Sequence, residues 1–397
     1  MKGRYPLEGC IVLDVTQALA GPFVGTLLGD LGAEVYHIER TPQGDLARNW
    51  IPKSGELSHY FAIANRNKKS LTLDLGKAKG KEIFFKLAEK ADVIVENFRA
   101  GKVKKLGIGY EEVKKINPGI IYCHVSGFGQ DGPYKDRAAF DQVLQGETGI
   151  ISYTGTEKEP CKINIPITDY VAALYGVYAV LSLIVNKEKN GEGGEIDVSL
   201  FDSAVNLMLN LMNMSCVQGL KDSELRMGSR YFLATPYEPF MAQNNSHVNI
   251  CVATEHHWRL FCKAVGLEEI MNDSKFENNE ARLRNREELR EIIERKIKEK
   301  SRDEWIEILE KDGVPCGAVN SITEVMQHPQ LKHRKTVVNV DYPGVGEIKL
   351  FNNPVKFSGF EISIMRPPRL GEHSEEILKK FGYSDNNIKE FRKGGII

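Results

Sequence analysis

Within residues 1–126 the chain alternates short runs rich in β-branched residues with stretches of helix-forming composition, and this alternation constrains the fold most. The runs are IVLDV (11–15), AEVYHIE (33–39), SLTLDL (70–75), DVIVEN (92–97) and GIIYCHVS (119–126). Between them lie PFVGTLLGDLG, GKAKGKEIFFKLAEKA and YEEVKKIN. Strand and helix in alternation point to parallel strands joined by right-handed crossovers, a doubly wound α/β sheet.

At 397 residues the chain is too long for one ordinary compact domain, and two are expected. GGEIDVSLFDSAVNLMLNLMNM (193–214) reads as one more strand followed by a helix. Next, KDSELRMGSRYFLATPYEPF (221–240) loses clear periodicity, which places a linker over residues 206–235. HVNICVA (247–253) is a short strand, and the sequence after it is helical and charged. There Asn285 with Glu288 and Ser301 with Glu304 have capping-box spacing, and Leu289, Ile292, Ile293 and Ile297 share a helix face. The second of these helices stops at Gly313. Residues 236–325 therefore form a smaller separate domain. The tail from Pro329 returns to β and turn sequence and ends in LGEHSEEILKKFGY (370–383); its pattern alone leaves open whether it rejoins the first domain.

A net charge of -1, with 42% hydrophobic and 27% charged residues, describes a soluble globular protein without the basic excess of a nucleic-acid binder. The opening MKGRYPLEGCIVLDV has no long apolar segment with a small-residue cleavage site, so secretion is not expected. The apolar stretch 170–185 is interrupted by Gly176 and Ser182 and is shorter than the roughly 20 residues of a membrane span. It reads as a buried helix, with no membrane partner. Seven cysteines, at 10, 123, 161, 216, 251, 262 and 316, form no CxxC pair and fit reduced thiols in a cytoplasm.

The first strand-to-helix turn, ALAGPFVG, lacks the G-x-G-x-x-G spacing that admits a pyrophosphate, which disfavours a nucleotide redox cofactor. After the second strand, Glu39 is followed by Arg40, a cation suited to a phosphate-bearing nucleotide and equally suited to pairing with a neighbouring acid. No metal is expected: adjacent His256 and His257 diverge on a helix, and His328 and His333 have no matching ligand pair. G-x-S-x-G is absent as well, so a serine esterase elbow is excluded.

Asp169, in NIPITDYVAALYGVYAVL, lies where an irregular segment meets a long apolar helix. A carboxylate there accepts first-turn N–H groups and feels the positive helix end, so it is expected to stay ionised and nucleophilic. A plain helix cap explains the same position. SGFGQDGPY (126–134) is a glycine-rich turn at a strand's carboxyl end, where open α/β sheets bind ligands. Backbone amides at Gly127 and Gly129 are candidates for stabilising an oxyanion, and those glycines serve a turn equally well.

Taken in order, PLEGCIVLDVTQALAGP, LLGDLGAEVYHIER, NRNKKSLTLDL, DVIVENFRAG, LGIGYEEV, NPGIIYCHVSGFGQDGPY, TDYVAALYG, GEGGEIDVSLFDSAVN, GVPCGAVN and PPRLGEHSEEILKKFGY resemble the class III coenzyme A transferases, the formyl-CoA transferase or CaiB-BaiF type. The resemblance runs the whole length. It implies a large Rossmann-like domain built from residues 1–205 and 330–397, a small α+β domain, and an interlocked homodimer acting on an acyl-CoA and a free carboxylic acid. It carries the family nucleophile onto Asp169, and coenzyme A contacts onto Ala18, Ala20, Arg40, Asn97, Phe98 and Lys105. Gln17 is a candidate polar contact beside the thioester.

This sequence departs from formyl-CoA transferase at three places. RMGSRYFLATPY stands where that enzyme has consecutive glycines, Asp141 stands for its glutamate, and Phe140 for its tyrosine. Oxalate and formyl-CoA are therefore not carried over. The related α-methylacyl-CoA racemases need a histidine in the segment matching AAFDQVL, and Phe140 occupies that place here. Proton transfer across an α-carbon requires two bases, so transfer through a covalent aspartyl intermediate is favoured over racemisation. A CoA-ester binding protein without turnover is the remaining alternative.

Overall fold

The protein is described by a computed structural model covering residues 5–397; residues 1–4, which open the stretch read above for a secretion signal, lie outside the described residues. The chain divides into two units, one of residues up to 150 with 163–209 and 330–397, the other of 151–162 with 210–329.

The larger unit is built on six parallel strands: Ile11–Asp14, Glu34–Glu39, Lys68–Thr72, Val93–Glu96, Ile121–Ser126 and Gly194–Ser199. Across the sheet they run third, second, first, fourth, fifth, sixth. The order reverses between the first and fourth strands, and such a sheet holds ligands in the crevice beyond the carboxyl ends at that point. Both faces are covered. On one, Leu13, Tyr36, Ile94 and Tyr122 pack with Ile83 and Phe84 and with Leu378 and Phe381 of the tail, which therefore rejoins the first domain. On the other, Val12, Val35, Val95 and Cys123 meet Val24 and Leu28 and the helix bearing Ala172, Ala173 and Val180. Strands buried on both faces must be apolar throughout, which explains the continuous β-branched runs.

That last helix, Ile167–Asn190, is not the buried rod expected from its apolarity. Ala172, Ala173, Gly176 and Val180 are buried, whereas Leu174, Tyr178 and Val185 are exposed, Tyr178 at 70%. Small residues set the inner face, so the helix lies close to its neighbours: a Cβ on Gly176 would sit 3.0 Å from a Val24 methyl carbon. The large apolar residues point away. By length and a mean hydropathy of 1.6 the helix is capable of crossing a membrane.

The smaller unit has a three-stranded antiparallel sheet ordered Cys316–Ala318, His247–Cys251, Tyr237–Met241. The strand Tyr237–Met241 was hidden in the aperiodic stretch because prolines flank and enter it. It is an edge strand, where Pro239 is tolerated. Trp258, Phe261, Leu289, Ile293, Ile297 and Trp305 form the core. The capping box at Ser301 and Glu304 is present. At Asn285 it is not: the side-chain amide donates back to the carbonyls of Lys275 and Ala281 instead of capping the following helix.

The segment 206–235, read as linker, contains helices at Leu209–Gln218 and Asp222–Leu225. Residues 151–162, placed above in the larger domain, group with the smaller unit. There Gly228 N–H donates to the Gly155 carbonyl at 2.7 Å, and the Arg226 guanidinium donates to the carbonyls of Ser152, Thr156 and Glu157.

Candidate active site at the reversal of strand order

The turn after the first strand, residues 16–20, has three of its amides held by side chains. Thr16 N–H donates to Asp14 at 3.0 Å, Gln17 N–H to Asn97 Oδ1 at 2.9 Å, and Ala18 N–H to Asp45 Oδ1 at 2.9 Å. The amide of Ala20, at the start of the helix Ala20–Asp30, lies close enough to Asp169 to favour its ionised form. The Asn97 side chain returns a second bond from Nδ2 to the Gln17 carbonyl at 2.7 Å, so its amide clamps the turn. Ala18 adopts φ 70, a left-handed conformation that costs a non-glycine residue roughly 1–2 kcal/mol and persists only where its surroundings impose it.

Beside this turn opens a cavity of about 510 Å³. Gln17, Ala18, Ala20, Asn97, Phe98, Gly127, Phe140 and Asp169 all line it, so eight of the residues singled out from sequence come together. Arg40, Lys105, Gly129 and Asp141 are not in the lining. Arg40 is exposed at the end of the second strand, and Lys105 is exposed on the short helix Lys102–Leu106. The amide of Gly129 is turned inward to Ser126 Oγ at 3.1 Å, and that of Gln130 to Asp197 at 2.8 Å. Those two donors are therefore committed to protein side chains. Gly127 does face the cavity and is required there: a Cβ would stand 2.5 Å from that of Ala139.

Asp169 lies in the first turn of its helix, but Pro166 is the N-cap, so the carboxylate is not the cap expected from sequence. Its ionisation differs as well. Burial, reinforced by the neighbouring charge of Asp141, raises its pKa to about 7, while the amides of Ala20 and of Asp169 itself pull the other way. Desolvation outweighs the two helix ends because the favourable dipole effect is typically below about 1 kcal/mol. Tyr60 is close enough that Asp169 and Asp141, after burial, raise its phenol.

Asp141 belongs to the site indirectly. Its Oδ1 accepts from Thr168 N–H at 3.1 Å and Thr168 hydroxyl at 3.0 Å, and its Oδ2 accepts from Gln145 at 2.7 Å. It satisfies a first-turn amide of the Asp169 helix from outside that helix.

Sequence reasoning missed the cations. Arg99, Lys102, Lys135 and Arg137 all line the cavity. Arg137 lies 5.1 and 4.4 Å over the rings of Phe128 and Tyr134 and pairs with Glu147 at 2.6 Å. A usable signal existed, since all four follow the carboxyl ends of the fourth and fifth strands. Asp45, in the loop TPQGDLARNW, carried no such signal.

Chemically, the cavity joins an anion-attracting mouth to a poorly hydrated carboxylate at a helix N-terminus. Among the described residues that line it, Asp169 is the one carboxylate and there is no histidine. Among the described residues no group of three or more His, Cys, Asp or Glu side chains is placed to hold a metal ion.

Residues 7–374 match the model of CoA-transferase family III. The chain is 36% identical to human succinyl-CoA:glutarate CoA-transferase, covering 100% of this chain and 91% of that protein. It is 33% identical to acetyl-CoA:oxalate CoA-transferase of Acetobacter aceti, covering 96% and 97%. A CAIB/BAIF family protein from Brucella suis has a crystal structure similar to this one, with TM-score 0.84 and 34% identity over 96% of this chain and 100% of that chain.

Proposed function

This chain belongs to CoA-transferase family III, and we propose that it moves coenzyme A from an acyl-CoA to a free dicarboxylic acid through intermediates covalently bound to Asp169. The observation that carries the reading is the position of Asp169, in a cavity whose mouth carries Arg99, Lys102, Lys135 and Arg137. Four cations suit the phosphates of coenzyme A.

In the proposed sequence a carboxylate oxygen of Asp169 attacks the thioester carbonyl, and the C–S bond breaks to release CoA thiolate and leave an aspartyl-acyl anhydride. The thiolate attacks the aspartyl carbonyl, freeing the donor carboxylate and forming an aspartyl-CoA thioester. The acceptor carboxylate then attacks that carbonyl and displaces the thiolate, which returns to the acceptor's acyl carbon. Asp169 is regenerated as a carboxylate. Each step exchanges one acyl bond for another, so no external energy source is required.

The dicarboxylic acceptor is drawn from relatives named for glutarate, oxalate and mesaconate. Racemisation is disfavoured because no histidine is among the described lining residues: Phe140, 67% exposed, offers hydrocarbon where a proton-transfer group would be needed. A second copy of the chain is the proposed occupant of the apolar face formed by Leu174, Tyr178 and Val185. The reduced thiols fit a cytoplasmic protein, and all seven cysteines are free.

Replacing Asp169 with Asn tests the reading directly. Exchange of CoA between succinyl-CoA and glutarate should fall at least about a thousandfold. Hydroxylamine added during turnover should leave the wild-type enzyme with a hydroxamate at Asp169, detected by peptide mass. Near-normal turnover by the variant would overturn the aspartyl mechanism, and CoA binding without any adduct or exchange would favour a binding protein.

A further inference from the structure

Beneath the turn 16–20 lies a group of charged side chains that the transfer chemistry does not touch. Lys68 Nζ is 2.7 Å from Asp14 Oδ2, and His37 stands between two acids, with Nδ1 3.2 Å from Asp14 Oδ2 and Nε2 3.4 Å from Asp45 Oδ2. The side chains of Asp14, His37, Lys68 and Asp45 are all fully buried in these pairs. Nearby, Glu39 is paired with Arg48 at 2.6 Å and makes no contact with the ring of His37 within salt-bridge distance. Two acids and two cations therefore balance.

The two acids hold the turn together with Asn97. Asp14 accepts from Thr16 N–H and Thr16 hydroxyl, and Asp45 accepts from Ala18 N–H and from Ala47 N–H at 2.8 Å. The second of these bonds closes the short helix Leu46–Asn49, whose Leu46 lines the cavity. Neither ring nitrogen of His37 is aligned for a hydrogen bond, and Asp45 Oδ2 has no hydrogen-bond partner. At 3.2 and 3.4 Å, what the ring supplies to both acids is charge. Burial lowers the imidazole's affinity for a proton, but Asp14, Glu39 and Asp45 more than reverse this and lift its pKa to about 9. Lys68 and His37 in turn keep Asp14 ionised against burial.

We infer that His37 is a positioning residue: as a buried cation bridging Asp14 and Asp45, it fixes the carboxylates that impose the left-handed conformation of Ala18 and hold the turn 16–20 in shape to receive coenzyme A. Without that cation, two buried acids share one lysine. An uncompensated buried charge is strongly unfavourable, so the group relaxes by protonating or displacing an acid. Asp45 is the one that moves, because Asp14 keeps Lys68. Ala18 then reverts to an ordinary backbone conformation, and the surface of Gln17, Ala18 and Ala20 no longer matches the ligand.

This inference rests on the transferase reading, and the test separates the two. The dissociation constant of free coenzyme A is measured by titration calorimetry on the full chain. His37→Gln, neutral and of similar size, should weaken binding about tenfold, while His37→Lys, which restores a cation, should return it to within about threefold of wild type. A general loss of structure would not distinguish glutamine from lysine in this way. Equal affinity in wild type and His37→Gln, or equal weakening by glutamine and lysine, overturns the inference and leaves the transferase reading intact. No binding of coenzyme A by the wild-type chain overturns both. Should His37→Gln fail to fold, Asp45→Asn decides: it keeps an oxygen for the Ala18 amide but gives up the charge that His37 holds, and binding should weaken about fivefold. An unchanged constant in that variant overturns the inference.

Discussion

Asp141 Oδ1 accepts hydrogen bonds from both the backbone N–H and the hydroxyl of Thr168, 3.1 and 3.0 Å away, and so ties the start of one helix to the start of the one that carries Asp169. The arrangement has two effects on the neighbouring residue. It anchors the helical turn that carries Asp169, and it places a second negative charge beside a carboxylate that is already poorly hydrated.

The acid limb of the pH profile follows. A group raised to about 7 must lose its proton before it can attack, so kcat/KM for the acyl-CoA should rise with pH through an apparent pKa near 7. An ordinary aspartate would give a limb near 4. Asp141→Asn keeps an oxygen for Thr168 but removes the charge, and its limb should move to lower pH. A limb that stays in place would mean that burial alone sets the pKa.

Arg137 offers a test of the cavity's mouth. Its guanidinium is held over Phe128 and Tyr134, and its pairing with Glu147 is solvent-exposed. Exposed charge contacts are weak, so Arg137→Ala should raise KM for the acyl-CoA no more than roughly fivefold and change kcat less than about twofold. The effect should shrink in high salt. An unchanged KM, or a loss confined to kcat, would take Arg137 out of phosphate binding.

Stability should depend on the tail. Leu378, fully buried in the core that contains Leu13 and Tyr36, joins a C-terminal helix to the opening strands. Leu378→Ala should destabilise the larger unit by about 2–5 kcal/mol in denaturant unfolding, as a cavity left in a close-packed core does. A loss below about 1 kcal/mol would show that the tail docks loosely.

His37 makes a second pH prediction, with the opposite sign from an acid-labile carboxylate. Its pKa is raised from 6.5 to about 9 on folding, so its contribution to stability is complete below 6.5 and is lost as pH rises through 9. Thermal melts of the wild-type chain should fall over that interval. The same interval should be flatter in His37→Lys, whose cation persists to higher pH.

Much of the larger unit was legible because a doubly wound sheet writes itself into sequence as apolar runs separated by helices, and the five runs read at the start are strands. The strand Tyr237–Met241 was not, since only alternate residues, Glu238 and Phe240, are buried and one of them is an acid. Asp169 was legible as a residue but not as an ionisable group. Its place near a helix start argued for a stable anion, and the opposing influences of burial and Asp141 come from neighbours that no local pattern reveals.

By itself, then, the sequence determined the alternating elements, the two-domain expectation and a set of residues at strand ends, because those depend on periodicity and on chain neighbours. The tertiary structure alone decided the rest. Reversal of strand order between Ile11–Asp14 and Val93–Glu96 opens the crevice and brings Gln17 to Asn97. Folding also carries Asp45 and His37 beneath Ala18, where buried charge has an effect that exposed charge in the same loop would not have. Electrostatic strength depends on distance and on the exclusion of water, and both are set only when distant segments pack together.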